Sequence, residues 1–272
     1  LVLFGHALVD AARVQWMHLP QDAPRARLSP LPSADPAQPA PRRLAPGVAR
    51  LPPPSSQDPT FSVSPVQARR PSQRSVGTAF AVGREGMWLT ARHVVDHCAT
   101  VHMRRPNDFQ RVEVAFMHGS ADIAVLRAAG GGPPLPVTLG PLRLGEDGYA
   151  FGIAGEGGPS AIHASLLGRA RAMQSGRISG VTEVTVWAER AWVPPGERWI
   201  GGMSGGPLLT PEGSVAGVMS VASQRRGRIY TVAPETIAQV MRDERLGFVP
   251  PNAAPVATSP QSLEQSRGTL LG

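Results

Sequence analysis

Short apolar or alternating runs, separated by Gly, Pro and Asp breakers, fill residues 74–249 and restrict the fold more than any other feature of the chain. They are VGTAFAV (76–82), MWLT (87–90), ATVHM (99–103), RVEVAF (111–116), IAVLR (123–127), GYAFGI (148–153), TEVTVWA (182–188), GSVAGVMSV (213–221) and RIYTVA (228–233). Runs this short, rich in β-branched and aromatic residues, read as half-buried or fully buried strands. Many of them in succession predict an all-β sandwich or barrel. One helix closes the pattern. Pro234 stands at its first turn with Glu235 beside it, and Ile237, Val240 and Met241 form one apolar stripe at i, i+3 and i+4.

The flanks have a different composition. Residues 1–19 are fairly apolar, but Asp10 and Arg13 interrupt them, so the run is too short to cross a bilayer. They read either as the stub of an anchor or targeting segment or as a short amphipathic helix. The first reading leaves open a membrane tether and an extracytoplasmic location, periplasmic or secreted. Residues 20–73 read as a linker, because 14 of the 29 prolines lie between Pro20 and Pro71 and proline sustains neither helix nor sheet ladders. Residues 250–272, again Pro, Ala, Ser and Gln without apolar periodicity, read as a disordered tail.

Charge says less than its size suggests. The net charge is +7, but every one of the 27 basic residues is arginine and no block of like charge stands out. The basicity therefore reflects composition, and nucleic acid is not expected as a partner. Cys98 is the single cysteine, so no internal disulfide holds the fold.

The stretch GGMSGGPLL (201–209) sets Ser204 among four glycines. A serine hydroxyl becomes a useful nucleophile when a base takes its proton and backbone N–H groups meet the resulting oxyanion. Gly202 allows its N–H to turn inward and a carbonyl to approach, and Gly205 and Gly206 keep the far side of Ser204 clear. A tight Gly-rich hairpin with an incidental serine is the alternative. His93, in LTARHVVDHC (89–98), follows a strand and opens a single helical turn; Asp122, in ADIAVLR (121–127), stands at the mouth of an apolar run. Each has an ordinary structural reading when taken alone. Together, in the order His, Asp, Ser, they point to nucleophilic catalysis.

These motifs resemble those of the trypsin-like (chymotrypsin-fold) serine proteases, nearest to the bacterial HtrA/Do-type branch. GTAFAV resembles that family's first barrel strand, LTARHVV its histidine motif, DIAVLR its aspartate motif and GGMSGGPLL its serine motif. The last strands and helix resemble its C-terminal part, over about residues 74–246. The resemblance implies two six-stranded antiparallel β-barrels with a C-terminal helix and a site in the cleft between them, His93 and Asp122 coming from the first barrel and Ser204 from the second. It further implies a serine endopeptidase acting on polypeptides through an acyl-enzyme, with an oxyanion hole from the N–H groups of Gly202 and Ser204 and no cofactor or metal. The substrate pocket is then expected near residues 197–202 and along the strand that holds Ser220, Val221 and Ala222. Arg92 stands where the family usually has a small or amide residue and Met203 where it has Asp or Asn, and the C-terminal PDZ domain of full-length HtrA proteins is not expected after the helix.

Other motifs are weaker. His93 and His97 are four apart, a metal-ligand spacing on a helix face, but no HExxH glutamate or third ligand accompanies them. GEGG (155–158) and GGG (130–132) lack the Lys-Ser/Thr of a phosphate cradle and read as loops, and RRGR (225–228) reads as a solvated hairpin tip. The alternative to an active protease is a protease-fold binding or chaperone-like module in which the Pro-rich arms recruit partners.

Overall fold

The structure, a computed structural model, describes residues 2–6, 47–63, 75–83, 86–104, 109–130, 132–154, 158–174, 180–193, 200–223 and 226–250. In chain order the strands are β1 (Val2–His6), β2 (Thr60–Val63), β3 (Ser75–Thr78), β4 (Phe80–Ala81), β5 (Met87–Thr90), β6 (Thr100–Arg104), β7 (Phe109–Met117), β8 (Ala124–Arg127), β9 (Asp147–Ala154), β10 (Gly158–Gln174), β11 (Gly180–Val193), β12 (Pro207–Leu209), β13 (Val215–Ser223) and β14 (Arg228–Val232). The helices are α1 (Arg92–Val95) and α2 (Pro234–Asp243).

They form two seven-stranded sheets. The first runs β3-β1-β6-β7-β8-β5-β4, and its two ends are the two parts of one bent segment, separated only by Ala79. It is a half-barrel. The second runs β11-β14-β13-β12-β9-β10-β2, and β10 also pairs with β11, so six of its strands close a complete barrel. The chain is thus mostly β and of the expected two-barrel, trypsin-like kind.

The burial pattern explains why the strands read as apolar runs. β9 is buried along nearly its whole length because both of its faces are covered. Ala150 and Ala154 point into the second barrel with Ile162, Trp187 and Leu208. Tyr149 and Phe151 point out into a core shared with Phe80, Leu89 and Ile123 of the first sheet and Ile237, Val240 and Met241 of α2. α2 begins at Pro234 and buries the apolar stripe read from the sequence. A smaller cluster around Val94, Val101, Met103 and Leu126 fills the first half-barrel.

Two parts of the N-terminal region differ from their sequence reading. Residues 2–6, inside the segment read as an anchor stub or helix, run as β1, antiparallel between β3 and β6, with Leu3 opposite both Gly77 and Met103. Residues 47–63, inside the segment read as a linker, form a strap on the second barrel. Leu51 is buried and its N–H donates to the Leu142 carbonyl at 2.7 Å. The Phe61 ring lies 4.5 Å from that of Tyr230, and β2 runs parallel to the end of β10. Arg169 ties the strap to α2, donating to the Pro52 carbonyl at 2.6 Å and pairing with Glu235. Prolines tolerate such an edge position, where few ladder bonds are asked of them. The folded unit therefore does not begin at residue 74. The rest of the 20–73 reading, and the tail reading from residue 251 on, lie outside the described residues.

Candidate active site

His93 lies in the single turn of α1, whose Val94 and Val95 are buried in the first half-barrel. Its backbone N–H donates to Asp122 Oδ1 at 2.9 Å, and its Nδ1 lies 2.7 Å from Asp122 Oδ2. A carboxylate only accepts, so Nδ1 carries the proton and the lone pair of the neutral ring is on Nε2. Asp122, at the start of the buried run before β8, takes a third bond from Ser220 Oγ at 2.5 Å. Burial alone would raise the Asp122 pKa, but the charge of His93 and the bonds from His93 and Ser220 outweigh it and hold the carboxyl below its ordinary range. The result is an ionised buried carboxylate fixed to one face of an imidazole.

Ser204 sits in the turn before β12. Two glycines make that turn: Gly202 has φ +96° and Gly205 φ +86°, both left-handed values that a Cβ disfavours. At Gly205 space forbids a side chain as well, since a Cβ would come within 2.3 Å of both the Thr78 carbonyl and Thr90 Oγ1 and 2.8 Å of the Ala91 nitrogen. This close approach seats the turn against the residues just before His93. Thr78 completes the seat, its N–H donating to the Ser204 carbonyl at 2.8 Å and its Oγ1 to the Gly202 carbonyl at 2.8 Å. Thr78 Oγ1 in turn accepts the N–H of Ile153 at 3.0 Å, and Thr90 Oγ1 donates to the Thr78 carbonyl at 2.8 Å. Among the described residues, neither the Gly202 nor the Ser204 N–H is taken by a protein acceptor, whereas those of Met203, Gly205 and Gly206 are.

With this fold and geometry, the comparison with known proteins is decisive. Residues 77–218, just over half of the chain, match the trypsin-like peptidase domain. The chain belongs to the trypsin-like peptidase family. It is similar to Rv3671c protease from M. tuberculosis in its active form, with a TM-score of 0.56 and 21% identity over 78% of this chain and 100% of that one. The inactive form of the same protease gives 0.51 and 22%, over 64% and 84%. It is also 27% identical over 189 residues to uncharacterized protein y4bJ of Sinorhizobium fredii (strain NBRC 101917 / NGR234). That match takes in 65% of this chain and 28% of y4bJ, so the chain spans well under a third of that relative's length.

In this trypsin-like peptidase, Ser204 borders a small cleft with Ile200, Met219, Ser220, Val221 and Ala222. Its cavity volume is about 20 Å³ and, among the described residues, no charged side chain lines it; residues 197–199 of the expected pocket segment lie outside the described residues. A larger groove of about 530 Å³, along Cys98–Val101 and Arg111–Val114, shares no residue with it. Ser220, Val221 and Ala222 thus all lie beside Ser204, but the Ser220 hydroxyl is committed to Asp122. The cause is a β-bulge: Met219 pairs with Thr231 and Val221 with Tyr230, which leaves Ser220 extra and re-aimed.

The expected helix face with His93 and His97 does not form. α1 ends at Val95, and His97 lies beyond it with φ +63°. Thr78 and Thr90 are the site residues that sequence reasoning passed over. Their signal was a polar residue inside each of two otherwise apolar runs, GTAFAV and MWLT, where a fully buried hydroxyl needs a partner.

Proposed function

We propose that this serine protease is an endopeptidase working through His93, Asp122 and Ser204. The single observation that carries this reading is the Asp122 carboxylate, buried and bonded at once to the His93 N–H, the His93 ring and the Ser220 hydroxyl beside Ser204. His93 Nε2 takes the Ser204 proton as Oγ attacks the scissile carbonyl carbon, and the N–H groups of Gly202 and Ser204 receive the oxyanion. Collapse expels the amine, which leaves with the proton held by His93, and Ser204 remains as an ester. Water then attacks that ester, giving its proton to His93, and the acid product leaves as the proton returns to Ser204. Asp122 holds the imidazole tautomer and stabilises the imidazolium throughout.

Ile200, Met219, Val221 and Ala222 give the described part of the cleft beside Ser204 an apolar lining. The test is labelling by a fluorophosphonate together with cleavage of unfolded casein. Both are expected in the wild type and absent in Ser204→Ala, with casein cut at internal bonds. Casein cleavage that persists in Ser204→Ala, or a wild type that reacts with neither, removes the reading.

A further inference from the structure

Two residues outside the triad hold the turn that carries Asp122. Arg92, next to His93 on α1, donates through Nη1 to the carbonyls of His118 at 2.5 Å and Gly119 at 3.2 Å. Its Nε lies 3.4 Å from the Asp96 carboxylate. The His118 ring grips the same turn, with Nδ1 2.8 Å from the Ala121 nitrogen and 3.2 Å from the Ser120 nitrogen. Its backbone N–H donates to the Ile123 carbonyl at 3.0 Å. Backbone amides only donate, so Nδ1 must present its lone pair to both, and the ring is neutral with its proton on Nε2.

We propose that Arg92 and His118 are positioning residues that latch Asp122 onto His93 while the His118 ring is unprotonated, and that protonation of that ring opens the latch. The inference rests on the proteolytic reading of the triad. A proton on Nδ1 would face two amide N–H groups across hydrogen-bond distance and turn two attractions into repulsions. The charged groups around the ring are Arg92 from α1 and Asp243 from α2, and Phe116 meets it edge-on at 6.3 Å. Burial, and then the Arg92 charge, lower the ring's pKa from 6.5, while Asp243 opposes them. The fold therefore favours the neutral ring. The latch is at full strength above the ordinary imidazole value and is lost as pH falls through the lower, folded one.

Two protonations then shut the site in acid, one on His93 and one on His118. The logarithm of the fluorophosphonate labelling rate should fall with pH at a slope of one and then steepen toward two. His118→Ala, which lacks the acceptor, should label about 10–100-fold more slowly at neutral pH, the scale of loss from a small misplacement. His118→Asn puts an amide oxygen in the place of Nδ1 and cannot take up a proton. It should restore the rate to within about threefold of wild type, with a single slope of one. Arg92→Gln should move the steepening to higher pH, because the cation that opposes protonation is gone. The downfield proton NMR signal of the His93–Asp122 hydrogen bond is the second readout and does not depend on turnover.

In the wild type that signal should disappear as His118 titrates, and it should persist in His118→Asn. A chain that never reacts with the probe but loses the signal in step with His118 supports the latch and removes the proteolytic reading instead. Wild-type labelling in a folded His118→Ala, or a slope of two retained in His118→Asn, overturns the latch.

Discussion

The sheet that carries His93 and Asp122 and the sheet behind Ser204 each contain seven strands, yet only the second closes through hydrogen bonds. The first is a half-barrel that takes one inner strand, β1, from residues 2–6. The second is closed by β10 and β11 and then braced from outside by the strap and α2. His93 and Asp122 therefore sit beside the sheet that stays open, and Ser204 sits beside the one that closes on itself. What joins them is a short run of buried polar contacts at Thr78, Thr90, Gly205 and Ser220.

If the chemistry is shared evenly between the sheets, removing either share should cost the same. Ser204→Ala and His93→Ala are each expected to lower kcat by about 10⁴-fold or more, with the double mutant little worse than either single one. Kinetics of the three variants check this, and additive losses would separate the two residues mechanistically. Gly202→Ala comes next. If its N–H serves the oxyanion, kcat should drop about 10²–10³-fold with a much smaller change in KM. Unchanged kcat with a lowered melting temperature would leave Gly202 as a turn residue only.

The bracing of the second sheet is tested by Leu51→Ala, expected to destabilise by about 2–4 kcal/mol with kcat nearly unaltered. Urea unfolding measures it, and a change below about 0.5 kcal/mol would return the strap to the status of a linker. A chain cut to residues 73–249, which lacks both β1 and the strap, should melt below the full chain. Hydrogen exchange should accelerate most in β3 and β6, the strands β1 covers. Equal melting of the two chains would make both N-terminal pieces dispensable.

The smallest effect concerns pH. The carboxyl of Asp122 lies below its ordinary value of 3.8 in the fold, so its stabilising share is present above that value and is lost as pH falls through the folded one. The gap in unfolding midpoint between wild type and Asp122→Asn should hold above about pH 4 and narrow as pH falls below it.

His93, Asp122 and Ser204 were legible as candidates because each combines a reactive side chain with a distinctive local setting: glycines around a hydroxyl, an imidazole after a strand, a carboxylate before an apolar run. Ser220 was legible as a neighbour of the nucleophile but not as a partner of Asp122, since a bulge depends on the opposite strand and leaves no local mark. The longest strand, β10, was missed. It is rich in Ala, at 161, 164, 170 and 172, and broken by Gly168, and alanine and glycine have little preference for strands. Pairing with three other strands, β9, β11 and β2, overrides that weakness. The strap was missed for the opposite reason: proline is frequent in its sequence, and its apolar anchors among the described residues, Leu51 and Phe61, are too far apart to show a periodicity. β1 was missed because its partners lie about 70 to 100 positions away, beyond the reach of any periodicity argument.

That distance also sets an order of assembly. During synthesis β1 emerges well before its partners, since β3 is finished with Thr78 and β6 only with Arg104. At about 5–20 residues per second, the strand waits roughly 4–14 s for β3 and roughly 5–20 s for β6. A strand in that state is an open template for pairing with another chain. The half-barrel that holds His93 thus depends on a strand that spends part of synthesis without its partners.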